Sequence, residues 1–373
     1  MRIILVIILA PFLRFFLSLL TFSIMIIRLR NYIQASLVSG VAMLTLGPNG
    51  IAVAQETSVN LYSSRHYQTD ESLYLDFTRL TGIKINRIEG TEDALLERLK
   101  NEGRNSPADV LITVDVARLW RAQQMNLLEP VQSAVLNQRI PAHLREPAGH
   151  WFGFSKRARV IVYNKLLVQP ASVQNYEDLA GPGMKGKVCT RSLSHVYNLS
   201  LMSALIDHLG EARAQQWARG IKANLARDPK GGDTDQILSV AAGECHVAIS
   251  NTYYYVRLAS SKRPAERAVA EKVGVIFPNQ KSFGTHINIS GGGVLRHAPN
   301  RANAIRFLEY LASDEAQSYF ANGNNEWPAV PSIRLQNPAL AVLGSFKEDQ
   351  LNVGTLGQNQ PLAQKAFNIV GLK

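Results

Sequence analysis

The sequence lacks the short motifs that mark several common classes of enzyme and cofactor site. It has no Gly-x-Ser-x-Gly elbow and no His-Glu-x-x-His pair. The glycine-rich stretch at 181–186 ends without the Lys-Ser or Lys-Thr pair of a phosphate loop, so no nucleotide site is predicted. Low-complexity segments and short repeats are also missing, and we therefore expect the chain beyond its N-terminus to be compact.

The N-terminus carries two apolar blocks, at 3–27 and 35–54. Basic residues precede the second block, which ends in Ala52-Val53-Ala54, a small-x-small cleavage pattern. The sequence therefore predicts an export signal over 1–54 that is cleaved after Ala54, and Met25 offers an alternative start. The other interpretation is a tether, because residues 3–27 are long enough to span a bilayer.

Cysteine is scarce, with two residues in the chain. Cys189 and Cys245 lack the CxxC spacing of structural zinc sites. Both lie in segments that look like strand edges, and an exported protein meets an oxidising compartment. A disulfide between them and two buried free thiols are both compatible with the sequence, because sequence does not give the Cα separation that a bridge requires.

Acidic residues are fewer than basic ones, and the formal net charge is +11. Removal of the signal takes away four arginines and no acids, which leaves 36 basic against 29 acidic residues and a charge of about +7. The lysines and arginines are scattered and form no stripe of the kind that binds phosphate backbones. We therefore expect no nucleic-acid partner, and a cationic cleft for a small anion or a ferric chelate fits the charge.

The chain that remains after cleavage, roughly 320 residues, is too long for one core of ordinary size and predicts two lobes. Strands and helices alternate in its first part. The predicted elements there are strands at 59–62, 83–88 and 108–113, a helix at 69–81 that ends at Gly82, and a helix from Glu92 that is capped by Thr91. This order predicts a parallel sheet with helices on both faces.

The middle of the chain, 151–163, is strand-like and predicts a crossover between the lobes. A second α/β unit follows, with helices predicted at 199–209 and 233–242, and a return strand at 285–295 contains Gly291-Gly292-Gly293. Two crossings make a hinge, so we predict an α/β fold of two lobes joined by crossover strands. The predicted limits are 57–155 plus 284–333 for the first lobe and 156–283 plus 334–373 for the second, with the helical tail 361–373 packed on the second lobe.

Tyrosines stand at three places that predict a metal site. Tyr253-Tyr254-Tyr255 directly follows the apolar, strand-like stretch 247–251, which would hold the following loop rigidly at the edge of a cleft. His66-Tyr67 and Tyr197 supply the other two places. A deprotonated phenol is a hard, anionic oxygen ligand, which suits Fe(III). Alternation along an extended segment turns the third tyrosine of the run away, so we expect Tyr255 to serve packing.

Six stretches of the chain resemble the periplasmic ferric-iron-binding proteins of ABC importers. They are Tyr62-Ser63-Ser64-Arg65-His66-Tyr67, Pro107-Ala108-Asp109-Val110, Tyr197-Asn198-Leu199-Ser200, Asn224-Leu225-Ala226-Arg227, Gly232-Asp233-Thr234-Asp235-Gln236 and Asn251-Thr252-Tyr253-Tyr254. The resemblance covers nearly all of 57–373 and is to the branch found in cyanobacteria and some other bacteria. It implies the transferrin-like, bilobal type II periplasmic-binding-protein fold.

The resemblance also implies a function and a set of ligands. The protein is expected to be a monomeric solute receptor, not an enzyme, which carries Fe(III) to an ABC permease and its ATPase at the inner membrane. The implied iron ligands are His66, Tyr67, Tyr197, Tyr253 and Tyr254. Because an imidazole suits Fe(III) less well than a phenolate, both a bound and an unbound His66 are compatible with the sequence.

Four phenolates around Fe(III) leave one net negative charge, which needs compensation in a buried cleft. Arg157 and Arg159 of the crossover strand and Arg257 beyond the tyrosine run are the predicted counter-charges. Two rival functions stay open. One is a binding protein of the same fold for a polyamine, a sugar or an organic anion, and the other is an oxidising enzyme with phenolate-bound iron and an open coordination position.

Overall fold

The structure is a computed structural model that describes residues 57–65 and 69–372. The predicted export signal and segment 3–27 lie outside the described residues, as do His66 and Tyr67. Within the part that the structure describes, no helix is both long and apolar enough to cross a membrane.

The strands run the length of the described chain. They are β1 (Ser58–Ser63), β2 (Lys84–Glu89), β3 (Val110–Thr113), β4 (Phe152–Asn164), β5 (Val188–Cys189), β6 (Val247–Asn251), β7 (Val273–Ile276), β8 (Ile287–Val294) and β9 (Trp327–Pro328). The strands predicted in the first part of the chain are confirmed, although most of their ends differ from the prediction by one or two residues. The long crossover strand β4 is confirmed as well.

The helices fall between the strands and after them. They are α1 (Asp70–Thr81), α2 (Glu92–Glu102), α3 (Val116–Gln124), α4 (Ala134–Arg139), α5 (Val196–Leu209), α6 (Glu211–Asn224), α7 (Asp233–Ala242), α8 (Thr252–Ala259), α9 (Pro264–Lys272), α10 (Arg301–Leu311), α11 (Asp314–Asn324), α12 (Pro338–Ala341), α13 (Gly354–Gln358) and α14 (Gln360–Ile369). Two predicted ends have clear local causes. Gly82 ends α1 in the left-handed region at φ 72°, and the Thr91 hydroxyl accepts from the Ala94 amide at the start of α2.

The strands of the described residues form one sheet in the order β2-β1-β3-β8-β4-β6-β5, with β7 and β9 also paired to β4. β1 is parallel to β2 and β3, as the βαβαβ order predicts. The parallel sheet predicted for this part of the chain is confirmed, and the return strand β8 adds to it in the antiparallel direction relative to both β3 and β4. β4 carries the chain into the second lobe and β8 returns it, so these two strands run in opposite directions.

β4 and β8 are the two strands that join the lobes. The N-terminal part of β4 pairs with β8 and β9, and its C-terminal part pairs with β6 and β7. The glycines of β8 allow the strands to approach closely, since a Cβ at Gly291 would lie 2.5 Å from the Phe152 carbonyl oxygen and one at Gly292 would lie 2.8 Å from that of Leu111. The predicted pair of crossings is confirmed.

We call the part built on β1, β2, β3 and β9 the first lobe, and the part built on β5, β6 and β7 the second lobe. The tail helix α14 packs on α5 and α6 of the second lobe, while α13 contacts both α3 of the first lobe and α5 of the second. The residue limits predicted for the lobes stay a prediction.

Cys189 of β5 and Cys245, just before β6, form a disulfide with a Cα–Cα separation of 5.8 Å. Both cysteines are fully buried beneath α7. Of the two interpretations that the sequence allowed, the structure has the bridge. It ties the short edge strand β5 to the strand that leads into α8.

Candidate functional site

Tyr197 lies in the first turn of α5. The sequence predicted that this helix begins at Leu199, but it begins at Val196, because His195 caps it: the His195 Nδ1 atom accepts from the Tyr197 amide at 3.2 Å. Apolar residues such as Leu201 and Leu205 then bury the helix in the second lobe. The cap and the buried helix hold the Tyr197 side chain at the edge of the lobe.

Tyr253 and Tyr254 lie in the first turn of α8, which begins at Thr252, immediately after β6 ends at Asn251. The expectation that the tyrosine run forms a loop is therefore wrong. The argument that side chains alternate along an extended segment does not apply to Tyr255 either, because Tyr255 lies in α8 and the helix sets the direction of its side chain. Its partial burial, which raises the pKa of Tyr255, nevertheless fits a packing role.

The structure brings three of the predicted ligands together. The Tyr197 and Tyr253 hydroxyl oxygens are 3.1 Å apart, and the ring centroids of Tyr253 and Tyr254 are 4.3 Å apart. We call Tyr197, Tyr253 and Tyr254 the tyrosine cluster. Tyr253 is 2 % exposed, and burial raises the pKa of Tyr197 well above its usual value, whereas Arg157 acts to lower it. The Tyr197 phenol is therefore neutral until something replaces its proton.

Arginines surround the tyrosine cluster. The guanidinium carbons of Arg157, Arg159 and Arg191 lie 5.4, 5.7 and 5.2 Å from the centre of the Tyr197 ring. That of Arg257 lies 5.9 Å from the Tyr253 ring and 5.7 Å from the Tyr254 ring. Positive charge at these distances favours phenolate over phenol, and Arg191 was not among the predicted counter-charges.

These arginines differ in how fully their charge is already matched. Asp233 forms ion pairs with both Arg159 and Arg191. Arg157, in contrast, is 3.8 Å from the nearest carboxylate, Asp115, and donates to the Val114 carbonyl oxygen. Arg157 and the exposed Arg257 are thus the cations with the most charge to offer an anionic site.

Tyr197 of the tyrosine cluster lines a cleft between the lobes that has a volume of about 560 Å³. The second lobe contributes His195, Val196 and Tyr197 to its lining. The first lobe contributes Ser63–Arg65, Glu89–Glu92 and Val114, which we call the first-lobe wall. His195 is neutral here, because burial lowers its pKa to about 3, with the charges of Arg191 and Arg159 as further causes.

Glu92 is a feature of the first-lobe wall that sequence reasoning missed. Its carboxylate accepts from the Val114 amide at 3.1 Å and from the Ser64 hydroxyl at 3.4 Å, and Arg118 Nε lies 3.7 Å away. Burial, and then repulsion by Asp115, raise the pKa of Glu92 to about 7. An acid in a first helical turn normally indicates only a favourable helix dipole, so nothing in the sequence set this one apart.

The donor set of the cleft limits what could be held there. Among residues 57–65 and 69–372, no group of three or more His, Cys, Asp or Glu side chains could hold a metal ion. The tyrosine cluster is a different kind of site, because neighbouring phenol oxygens bind a hard trivalent cation once they lose their protons. Asp115 does not take part, since it is buried as the cap of α3.

Comparison with known proteins agrees with this geometry. Residues 105–343 match the model of the bacterial extracellular solute-binding proteins. Iron uptake protein A1 of Synechocystis sp. is 50 % identical over 319 residues, which are 86 % of this chain and 88 % of the relative. The chain belongs to this family. Its similarity to a cyanobacterial iron uptake protein confirms the resemblance drawn from the six stretches.

Solved structures show the same fold. A FutA (IdiA) from Trichodesmium, in complex with iron and citrate ligands, superposes with a TM-score of 0.82 and is 53 % identical in sequence. The match covers 85 % of the present chain and all of the Trichodesmium chain. Apo FutA2 from Synechocystis gives 0.81 at 50 % identity over 86 % of this chain and all of that one. The predicted bilobal periplasmic-binding-protein fold is confirmed.

Proposed function

We propose that this protein is an extracytoplasmic solute-binding protein that captures Fe(III) between its lobes and delivers it to an ABC permease and its ATPase at the inner membrane. The observation that carries the proposal is the tyrosine cluster, where two phenol oxygens lie 3.1 Å apart beside four arginines. The names of the similar proteins, which include iron uptake and ferric iron-binding proteins, support it.

In this proposal the tyrosine cluster supplies three phenolates from the second lobe. Tyr67, with His66 beside it, supplies the fourth from the first lobe, so that coordination bridges the cleft and favours closure. Each phenol must release its proton, and iron affinity is therefore expected to fall as the pH falls. Arg157 and Arg257 then balance the net negative charge, whereas Arg159 is largely engaged by Asp233.

The remaining features follow from the same role. The protein is expected to reach the periplasm after cleavage near Ala54, to act as a monomer and to bind iron without transforming it. The family of extracellular solute-binding proteins supports the compartment and the role as a receptor. We also propose the lobe limits predicted from the sequence, 57–155 plus 284–333 and 156–283 plus 334–373.

The test is a visible absorption titration with ferric citrate of the apo protein recovered from the periplasm of cells that express the full chain. We expect a saturable phenolate-to-iron charge-transfer band at one equivalent. Tyr197→Phe is expected to weaken iron binding by at least about 100-fold without unfolding the apo protein, because it removes a ligand and not only a neighbour of one.

Tyr255→Phe is the matched control, since it removes a hydroxyl from the same helix as Tyr253 and should leave both band and affinity unchanged. No band in the parent protein would overturn the iron proposal and favour another small solute. Unchanged affinity in the Tyr197 variant would remove that residue from the site.

A further inference from the structure

Asn288 forms a buried bridge between the two lobes. It lies on the crossing strand β8 and is 5 % exposed. Its side-chain amide nitrogen donates to Asp115 Oδ2 at 2.9 Å, at the start of first-lobe helix α3, and to Ser200 Oγ at 2.6 Å, in second-lobe helix α5. Its side-chain oxygen accepts from the Val116 amide at 3.3 Å. One neutral amide therefore links the start of α3 to the second turn of α5, two helices that belong to different lobes.

Both ends of this bridge lead to Tyr197. Ser200 is three residues after Tyr197 in α5, so the two residues lie on neighbouring turns of one helix. Asp115, on the other side, is 3.8 Å from the Arg157 guanidinium, which in turn lies 5.4 Å from the Tyr197 ring. The Asn288 amide is thus linked to Tyr197 in two ways, through helix α5 and through the Arg157 guanidinium. Both links affect where Tyr197 lies relative to the first lobe.

The amide at the centre of the bridge carries no charge at any physiological pH, whereas burial raises the pKa of the Asp115 carboxyl that it contacts. Ser200 Oγ also contacts His286 Nε2 at 2.9 Å, and burial, followed by the charges of Arg159 and Arg157, lowers the pKa of His286 to about 3. Removal of the amide would leave the Asp115 carboxylate without one of its donors in a buried place, which is costly.

Resting on the proposed function, we propose that Asn288 is a positioning residue for the iron site: its amide holds Ser200 on the second turn of α5, and through the helix Tyr197 on the first turn, against the first lobe. A ligand held at a set distance from the opposite lobe needs less reorganisation to close around iron. Loss of the bridge is therefore expected to speed iron release. The increase should exceed that caused by a similar loss of stability elsewhere in the protein.

The experiment compares Asn288→Leu with Asn224→Leu in the exported protein. Asn224 is a matched control, because it is also buried and donates twice, to the Leu179 carbonyl at 2.9 Å and to the Gly181 carbonyl at 2.6 Å, but within the second lobe alone. Loaded with Fe(III), each variant is challenged with excess chelator, and the decay of the charge-transfer band gives the release rate.

We expect both variants to lose thermal stability, and only Asn288→Leu to release iron faster, by about 10-fold or more, and to shift the band maximum. Equal release rates in the two variants would overturn the role of Asn288 while leaving the iron proposal intact. A parent protein without a band would instead overturn the iron proposal itself.

Ser200→Ala is a second variant to use if Asn288→Leu does not fold. It removes the hydrogen bond between Asn288 and Ser200 and leaves the one between Asn288 and Asp115. It should also speed release relative to Asn224→Leu. A Ser200→Ala release rate equal to that of the parent would count against the bridge.

Discussion

The second lobe faces the cleft with the Tyr197 phenol beside guanidinium groups, whereas the first-lobe wall combines hydroxyl, backbone and carboxyl groups with the Arg65 guanidinium, which is already paired with Asp70 and Glu326. In the second lobe, burial and nearby cations act in opposite directions on the pKa of Tyr197. In the first, burial and a neighbouring acid act together to raise the pKa of Glu92. Tyr197 therefore becomes anionic only when a metal displaces its proton, whereas Glu92 keeps its proton to a higher pH than an ordinary carboxyl does.

The largest expected effect comes from removal of the disulfide, which ties β5 to the strand that leads into α8 and its tyrosines. Replacement of Cys189 and Cys245 together by Ser is expected to lower the free energy of unfolding by about 2–4 kcal/mol, since the bridge closes a loop with a sequence separation of 56 residues. Urea denaturation measures this change. The bridge touches neither cleft wall directly, so the iron charge-transfer band should keep its position, and a shifted band would show that the two are coupled.

Arg157→Gln would test the cationic character of the second-lobe side. It is expected to weaken iron binding by about 10- to 100-fold and to make the binding more sensitive to acid, because the phenolates lose a counter-charge that no carboxylate closely pairs. The measurement is a competition titration between pH 6 and 8.

Arg118→Gln is the matched change in the first lobe, where Arg118 pairs with Asp93 at 3.2 Å. Its effect on affinity should stay within about threefold, as for other partly exposed ion pairs. Equal losses in the two variants would mean that the cleft responds to total charge and that the contrast between its walls is unimportant.

Glu92→Gln tests the raised pKa of Glu92 in the first-lobe wall. The pKa of Glu92 is raised in the folded protein from its ordinary 4.5 to about 7, so its contribution to stability is fully present below pH 4.5 and is lost as the pH rises through 7. The variant imitates the neutral acid. Its free energy of unfolding should equal that of the parent at pH 4 and exceed it by roughly 1–2 kcal/mol at pH 8.

Urea denaturation of the apo protein at the two pH values checks this prediction. Glu309→Gln is a suitable control, because that carboxylate belongs to α10 and accepts from the Ser133 hydroxyl, away from the cleft. A parent protein that gains stability between pH 4 and 8 relative to Glu92→Gln would show that the Glu92 carboxylate is favoured in its charged form.

Much of the fold could be predicted from the sequence because local and tertiary preferences agree. The Thr91 cap and the buried stripe of Leu95, Leu96 and Leu99 are both present in α2, and α7 has the predicted bounds. The start of α8 could not be predicted in this way. Tyr253 and Tyr254 have no strong helix propensity, and the helix follows a strand without a turn.

The candidate site was predictable only where its chemistry is carried by an uncommon pattern of residues. Clustered tyrosines are such a pattern, and Tyr197 and Tyr253 do meet. Glu92, Arg191 and Asn288 are ordinary residue types at ordinary positions. The importance of Glu92 and Asn288 comes from contacts between segments far apart in the chain, which no local pattern records. Arg191 lies close to Tyr197 in the sequence, but its contact with the ring depends on how the intervening residues fold.

The tyrosine cluster lies in the first turns of α5 and α8, and this placement has an electrostatic consequence. The aligned peptide dipoles give the beginning of each helix a partial positive charge, and the effect is strongest within the first turn. Phenolates formed at Tyr197, Tyr253 and Tyr254 would therefore sit in the favourable field of two helices as well as that of the arginines. Part of the positive charge that balances the phenolates therefore comes from the backbone, and it would remain if one of the arginines were replaced.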